Sequence, residues 1–497
     1  MWYQLPNDFA NAQNVDVYAP DRWGISPEVA AQLGDRLYRF WLRFSPCFKT
    51  RTRDTSRNAY DYLRAQLTME GERNFANIDR TLNGGDGQAL EHFMAQSPWS
   101  DQVVFRQIQA EIKVTPVLAQ GGTLILDESA DEKAGTHTAG ASRQYNGRLG
   151  KVDLCRVDTC LVYAHLKAKV WTLVDGELFL REEWLSKALA EKREELGIPK
   201  DRQFETKIEL GLKMIKRVKA NGVPFDLLAC DTLYGRDGQF RADLNAENVA
   251  YAAQVPANTR VYLREPKIGL PRRRGKKGRR CTQPRVVSRQ KPREVRALAK
   301  SRQTEWAHVQ VRHAERGWVE ADFAVMRVWT VVDGKQSQPE WLVIRRETNG
   351  DCSYTLLNAP ADTPQSELIE RSCRRYFTER TFEDAKTEIG WDEFMAQKYR
   401  AWEHHLALTA ASLWFVAQTK LEWAQTYARD PELLEQLEVE VLPALSTANV
   451  RELLTAVLPL PDLSPEQATQ HVVAHLVNRS RSTSSRLKSQ NQHCDSS

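Results

Sequence analysis

The chain of 497 residues is long enough for two to four domains and a sizeable buried core. Its 41% hydrophobic and 27% charged residues fit a globular protein in water, and no apolar run nears the roughly 18 residues of a membrane helix. The first residues show no basic stretch followed by an apolar one, so no secretory signal is expected and the cytoplasm is the expected compartment. The net charge of +5 conceals a basic block, Arg264 to Arg302, with sixteen Lys or Arg against two Glu, which leaves the remainder acidic by about nine charges. Such a block reads as a polyanion contact, most simply with nucleic-acid phosphates, or as a solvated loop. Eight scattered cysteines include no C-x-x-C pair, which argues for reduced, packing thiols over a zinc site.

Residues 1–115 carry helical periodicity, as in SPEVAAQLGDRLYRFWLRF and SDQVVFRQIQAEI, and form an expected N-terminal helical domain, either for binding DNA ends or as plain helical scaffolding. In TLILDES a short apolar run delivers Asp127 to the edge of a sheet. CRVDTCLVYAHL, KAKVWTLV and ELFLREEW read as strands with hairpin turns, one of them at Asp175-Gly176. The segment from Phe204 reads as a helix closed by Asn221-Gly222, followed by the apolar strand PFDLLAC, which ends in Asp231. A helix over 237–246 and a strand over Val249–Val255 follow. A first core part spans 116–264, and a basic, β-rich insertion with turns at Asp333-Gly334 and Asn349-Gly350 spans 265–362.

Thr363-Pro364 then opens a helix of about six turns that ends at Gly390. Arg375, Glu379 and Lys386 fall on one face of it. Together with the apolar helix YRAWEHHLALTAASLWFVAQTKLEWAQTYA it makes a second core part, 363–425. His404 and His405 are adjacent, point about 100° apart and are poor co-ligands for one metal. Residues 426–497 read as short helices with a disordered tail, SRSTSSRLKSQNQHCDSS.

Three acids at two strand ends and on one helix face suit hard divalent cations, which take carboxylate oxygens and keep sites for water and phosphate. Two such ions support in-line phosphoryl transfer. A single acid-tipped strand is a weak signal, since Asp often ends strands for turn reasons.

The ordered pieces LILDES, RQYNGRLGK, LLACDTLYGRDGQF, ERTFEDAKTEIGWDEF and RAWEHHLAL, over about residues 90–420, resemble a DDE transposase of a bacterial insertion sequence, in the IS-four-like branch with a β-rich insertion. The resemblance implies an α/β fold: an RNase H-like mixed-sheet core flanked by helices, interrupted by the β-rich insertion and preceded by the helical domain. It implies Asp127, Asp231 and Glu379 as a catalytic, metal-binding triad for two Mg2+ ions, with Mn2+ as a substitute. The branch signature of Tyr, Arg, Glu and Lys is met by Arg375, Glu379 and Lys386, whereas Ser372 stands at the tyrosine position and Tyr376, one turn on, is the candidate substitute.

Arg375 and Lys386 are then phosphate contacts, as are Arg272, Arg273, Arg274, Lys276, Lys277, Arg279 and Arg280 of the basic block. Arg236 either reaches a phosphate or pairs with Asp237. Trp306, Trp318 and Trp329 are candidates for holding a flipped base or for strand packing. The implied reaction is cut-and-paste transposition on double-stranded DNA: cleavage at inverted-repeat ends and joining of 3′-hydroxyls to target DNA by a homodimer. A DNA-binding descendant without chemistry and an RNase H-fold nuclease without strand transfer are the alternatives.

Overall fold

The computed structural model describes residues 16–271, 281–314, 317–427, 429–458 and 464–494. The first segment folds as helices, chiefly α1 (Leu33–Phe44), α2 (Ser56–Thr68), α3 (Phe75–Asn83), α4 (Gln88–Ala95) and α5 (Asp101–Val114). Val104, Phe105, Ile108 and Ile112 of α5 are buried at helical spacing, the pattern that docks an amphipathic helix on a core.

The sheet begins with β1 (Gly122–Glu132), β2 (Ser142–Asn146), β3 (Lys151–His165), β4 (Val170–Leu178), β5 (Leu227–Cys230) and β6 (Tyr251–Gln254). β1 runs antiparallel to β3 and parallel to β5, β5 runs parallel to β6, and β4 pairs with the outer edge of β3. An antiparallel meander joined through β3 on one side of the first strand and two parallel strands on the other make an RNase H-like mixed sheet. Strands β7 (Ala307–Ala314), β8 (Gly317–Val332), β9 (Gln336–Arg346) and β10 (Cys352–Leu357) follow, and β10 pairs with β6. The β-rich segment therefore extends the core sheet, giving ten strands in all. The Asp333-Gly334 turn takes left-handed backbone at both residues, φ 50° and 72°, as a tight hairpin between twisted strands requires.

Helix α6 (Lys207–Ala220) lies on the sheet, started by a capping box between Thr206 and Glu209 and closed at Gly222 with φ 81°. It is followed by β5 and, after a short turn, by α7 (Gly238–Ala246). Beyond the sheet come α8 (Gln365–Ser372), α9 (Tyr376–Glu383), α10 (Tyr399–Thr426), α11 (Thr447–Val457) and α12 (Pro465–Cys494). Helix α10 is buried on nearly every side because it runs between β4 and the N-terminal helices. His404 reaches the carbonyls of Met94 and Trp99, both at 2.8 Å, while His405 contacts the Tyr62 hydroxyl at 2.9 Å and the Trp391 carbonyl at 3.0 Å. The two histidines staple α10 to its neighbours. One apolar cluster runs from Leu37 through Leu126 and Leu408 to Leu476.

Three expectations are corrected. Asp175-Gly176 is not a turn but the interior of β4, and the hairpin turn lies at 166–169. Asp175 is fully buried against Arg217, with both guanidinium contacts at 2.8 Å, and a Cβ on Gly176 would stand 2.7 Å from Leu406 Cδ2. The pair thus serves helix packing on the strand. The helix expected from Thr363 to Gly390 is broken at 373–375 between α8 and α9 and ends in a π-turn, Asp384–Glu388. There Asp384 is buried, accepting from Trp171 Nε1 at 2.9 Å and Thr447 Oγ1 at 2.6 Å. The Ser-rich tail, expected to be disordered, is helical to Cys494. Leu476, Val477 and Ser480 are buried, and the Ser480 hydroxyl donates to the Leu476 carbonyl at 2.9 Å, so its polarity is absorbed within the helix.

Candidate active site

Asp127 does not end its strand, which continues to Glu132 alongside β3. What ends there is the pairing with β5: Leu126 is opposite Cys230, and the next residues of the two parallel strands are Asp127 and Asp231. Neighbouring strands lie roughly 4.8 Å apart, so this register brings the two carboxylates into one row at the point where the strands part. Asp231 turns the chain into a short helical turn, its Oδ1 accepting from the Leu233 amide at 2.9 Å. That turn packs directly on β6, since a Cβ on Gly235 would fall 1.9 Å from the Gln254 carbonyl oxygen.

The third acid arrives on α9. Arg375, at the start of that helix, donates from Nη1 to Asp127 Oδ2 at 2.8 Å and from Nη2 to Glu379 Oε1 at 3.0 Å. One guanidinium fork thus bridges a strand acid and a helix acid that lie far apart in sequence. The Asp127 side chain is 16% exposed and that of Glu379 60%. One stretch further on, Lys386 Nζ donates to the Ala130 carbonyl on β1 at 3.2 Å. The face expected to carry Arg375, Glu379 and Lys386 does meet β1, despite the break before Arg375.

Electrostatically this is a costly place for negative charge. Burial pushes the Asp127 carboxyl up to about 6; Arg375 pulls it down, and Asp231 repels it. Burial also raises Asp231, against the amides of Leu233 and Tyr234. Lys386 is lowered, mainly by burial.

Sequence reasoning passed over a second layer. Glu128 takes an ion pair from Lys207 at 2.9 Å and a hydrogen bond from the Tyr234 hydroxyl at 3.4 Å, and its carboxyl is raised by burial. The only signal was the acid following Asp127 in LILDES. These groups buttress the turn that carries Asp231.

Two carboxylates side by side suit Mg2+, which is held by one or two carboxylates together with water and phosphate oxygens. Their burial and mutual repulsion are what a cation relieves. Among the described residues no three His, Cys, Asp or Glu side chains stand close enough to hold an ion together, and Glu379 pairs with Arg375.

Other expected contacts are distributed differently. Arg236 is exposed just beyond the Asp231 turn, while Asp237 caps α7 through the Phe240 amide at 2.9 Å. Ser372, at the signature tyrosine position, returns its hydroxyl to the Ile369 carbonyl at 2.6 Å. Trp306 lies under Arg346 at 3.9 Å, Trp329 is half-buried, and Trp318 is 44% exposed with its indole donating to Glu440 at 2.7 Å. Arg272, Arg273, Arg274, Lys276, Lys277, Arg279 and Arg280 lie outside the described residues. Among those residues no helix is long and apolar enough to cross a membrane.

Residues 43–317, more than half of the chain, match the family model of the DDE superfamily endonucleases, a span that includes Asp127 and Asp231 and stops short of Glu379. The chain is 28% identical over 207 residues to a probable transposase for insertion sequence element IS701 from Microchaete diplosiphon, covering 41% of this chain and 50% of that one. It therefore spans about half the length of the curated relative it matches. A cryo-EM structure of a piggyBac transposase synaptic complex with hairpin DNA aligns over 94% of this chain and 87% of that one, with a TM-score of 0.35 and 11% identity. On the family match, the chain belongs to the DDE superfamily endonucleases.

Proposed function

We propose that the chain is a DNA transposase that cleaves double-stranded DNA at inverted-repeat ends and joins the resulting 3′-hydroxyls to target DNA. The observation that carries this reading is the shared row of Asp127 and Asp231, tied through Arg375 to Glu379, in a DDE-family chain. Asp127 and Asp231 would hold divalent ions, Mg2+ or in its place Mn2+, with Glu379 completing the donor set. Such ions, when bound, activate a water or 3′-hydroxyl and stabilise the leaving oxygen of an in-line displacement.

The chain's own residues do the positioning. Arg375 now neutralises two of the three acids, so freeing Glu379 for an ion releases one arm of its guanidinium beside the scissile region, where a phosphate can take it. Lys386, docked on β1, offers a second cation, and exposed Arg236 a third, on the far side of Asp231. The basic block at 272–280 adds sequence-independent affinity that weakens steeply with salt. We assign end recognition to the N-terminal helices and strand exchange to a homodimer on two ends.

Purified protein with Mg2+ and DNA carrying the element's own ends tests the reading. Joined product supports transposition, cleavage without joining supports a nuclease, and binding without cleavage overturns the assignment of chemistry.

A further inference from the structure

Away from these acids, a cavity of about 480 Å³ opens between the β3–β4 turn, the last turns of α10 and the segment that follows it. Lys167, Lys169, Lys420 and Arg429 line it together with Trp423 and Tyr427, and among the described residues no Asp or Glu does. Four cations around one cavity repel each other, and among the described residues none of the four has an ion pair. Lys420 is 8% exposed, with Nζ 4.1 Å from the centre of the Trp171 ring. The carboxylate that attracts it, Asp384, already accepts from Trp171 and Thr447. Arg429 stands 6.0 Å from the centre of the Trp23 ring and has its charged form disfavoured first by burial. Lys169 keeps a left-handed backbone, φ 53°, at the β3–β4 turn.

A second observation points to a ligand. Trp423, whose side chain lines the same cavity, is 3% exposed, and among the described residues its indole N–H, a group that can only donate, is buried without a partner. Unpaired cations call for an anion, the orphan donor for an acceptor oxygen, and the rings for a planar group. A nucleotide supplies all three, and the cavity falls within the roughly 300–1,000 Å³ of small-molecule sites.

We propose that this cavity binds a nucleotide through its phosphate, held by Lys420, Arg429 and Lys169, with the Trp423 indole donating to it and the base against the aromatic wall. The nucleotide is either free or a unit of a DNA strand. The wall connects to the site already described: Phe377 of α9 lies 5.9 Å from Trp171, the ring that Lys420 overlies.

Calorimetric titration of the full chain with inorganic phosphate and with 2′-deoxyadenosine 5′-monophosphate tests it. Both should bind saturably, the nucleotide more tightly, and Lys420→Met and Arg429→Gln should each weaken binding roughly tenfold or more. Because Lys420 is a buried unpaired cation, Lys420→Met should melt no lower than the parent chain; Lys169→Ala, at an exposed turn, gives the same reading should the buried variants fail to fold. A 5′-phosphorylated single strand that displaces the mononucleotide identifies a DNA strand as the source, and one that does not identifies a free nucleotide. No saturable binding of either probe, or binding unchanged in all three variants, would overturn the proposal.

Discussion

Asp127→Asn separates what the active site needs from what the fold prefers. Burial raises the Asp127 carboxyl from its ordinary 3.8 to about 6. The native state therefore holds a proton there that the unfolded chain releases, and stability falls as pH rises from about 4 to about 6 and is then level. At about 1.4 kcal/mol per pH unit, the ionised carboxylate costs the fold about 3 kcal/mol near neutrality. Asparagine keeps an oxygen for the Arg375 Nη1 now 2.8 Å away, and the pull of Arg375 is already contained in the value of about 6. A gain of about 3 kcal/mol is expected at about pH 7.5, vanishing near pH 4, alongside loss of cleavage. Urea unfolding of both chains across this range in EDTA measures the gap directly. A variant less stable than the parent at neutral pH, or a gap that does not change with pH, would show that ionised Asp127 does not burden the fold.

Glu379→Gln should behave differently: its pair with Arg375 is 60% exposed on the acid side, so unfolding free energy should move by less than about 0.5 kcal/mol while cleavage is lost and binding to end-bearing DNA persists in gel shifts. Arg156→Ala removes a fully buried guanidinium that pairs with Asp131 at 2.7 Å and lies 3.1 Å from the Trp402 ring centre; urea unfolding should show a loss of about 3–5 kcal/mol. Thr206→Ala breaks the capping box of α6 and should cost about 1 kcal/mol in the same assay, with DNA cleavage unchanged.

Much of the site was legible because its signals are local. LILD and LLACD each end an apolar run in an acid, and the parallel register of β1 and β5 sets those acids in one row. Arg375 and Glu379 sit four apart on a helix and pair as such a spacing allows. Signals that depend on the partner were misread. Asp175-Gly176 has turn composition, but Arg217 and Leu406, remote in sequence, hold it inside β4. The chain does not announce that β10 will join β6, so the β-rich segment reads as separate although it lengthens one sheet. The Ser-rich tail lacks periodicity strong enough to show that Leu476 and Val477 anchor it as a helix. Nor does spacing reveal that Glu128, Lys207 and Tyr234 support Asp231 from beneath, since that network forms only when three elements meet.

In the proposed reaction Asp127, Asp231 and Glu379 converge on bound divalent ions. Loading the chain with Fe2+ in place of Mg2+, adding ascorbate and peroxide, and mapping the backbone cuts by mass spectrometry reads that convergence directly. Cuts clustered around all three acids, suppressed by excess Mg2+ and lost in Asp127→Asn, are expected. Cuts confined to one of the three segments, or unaltered in Asp127→Asn, would contradict it.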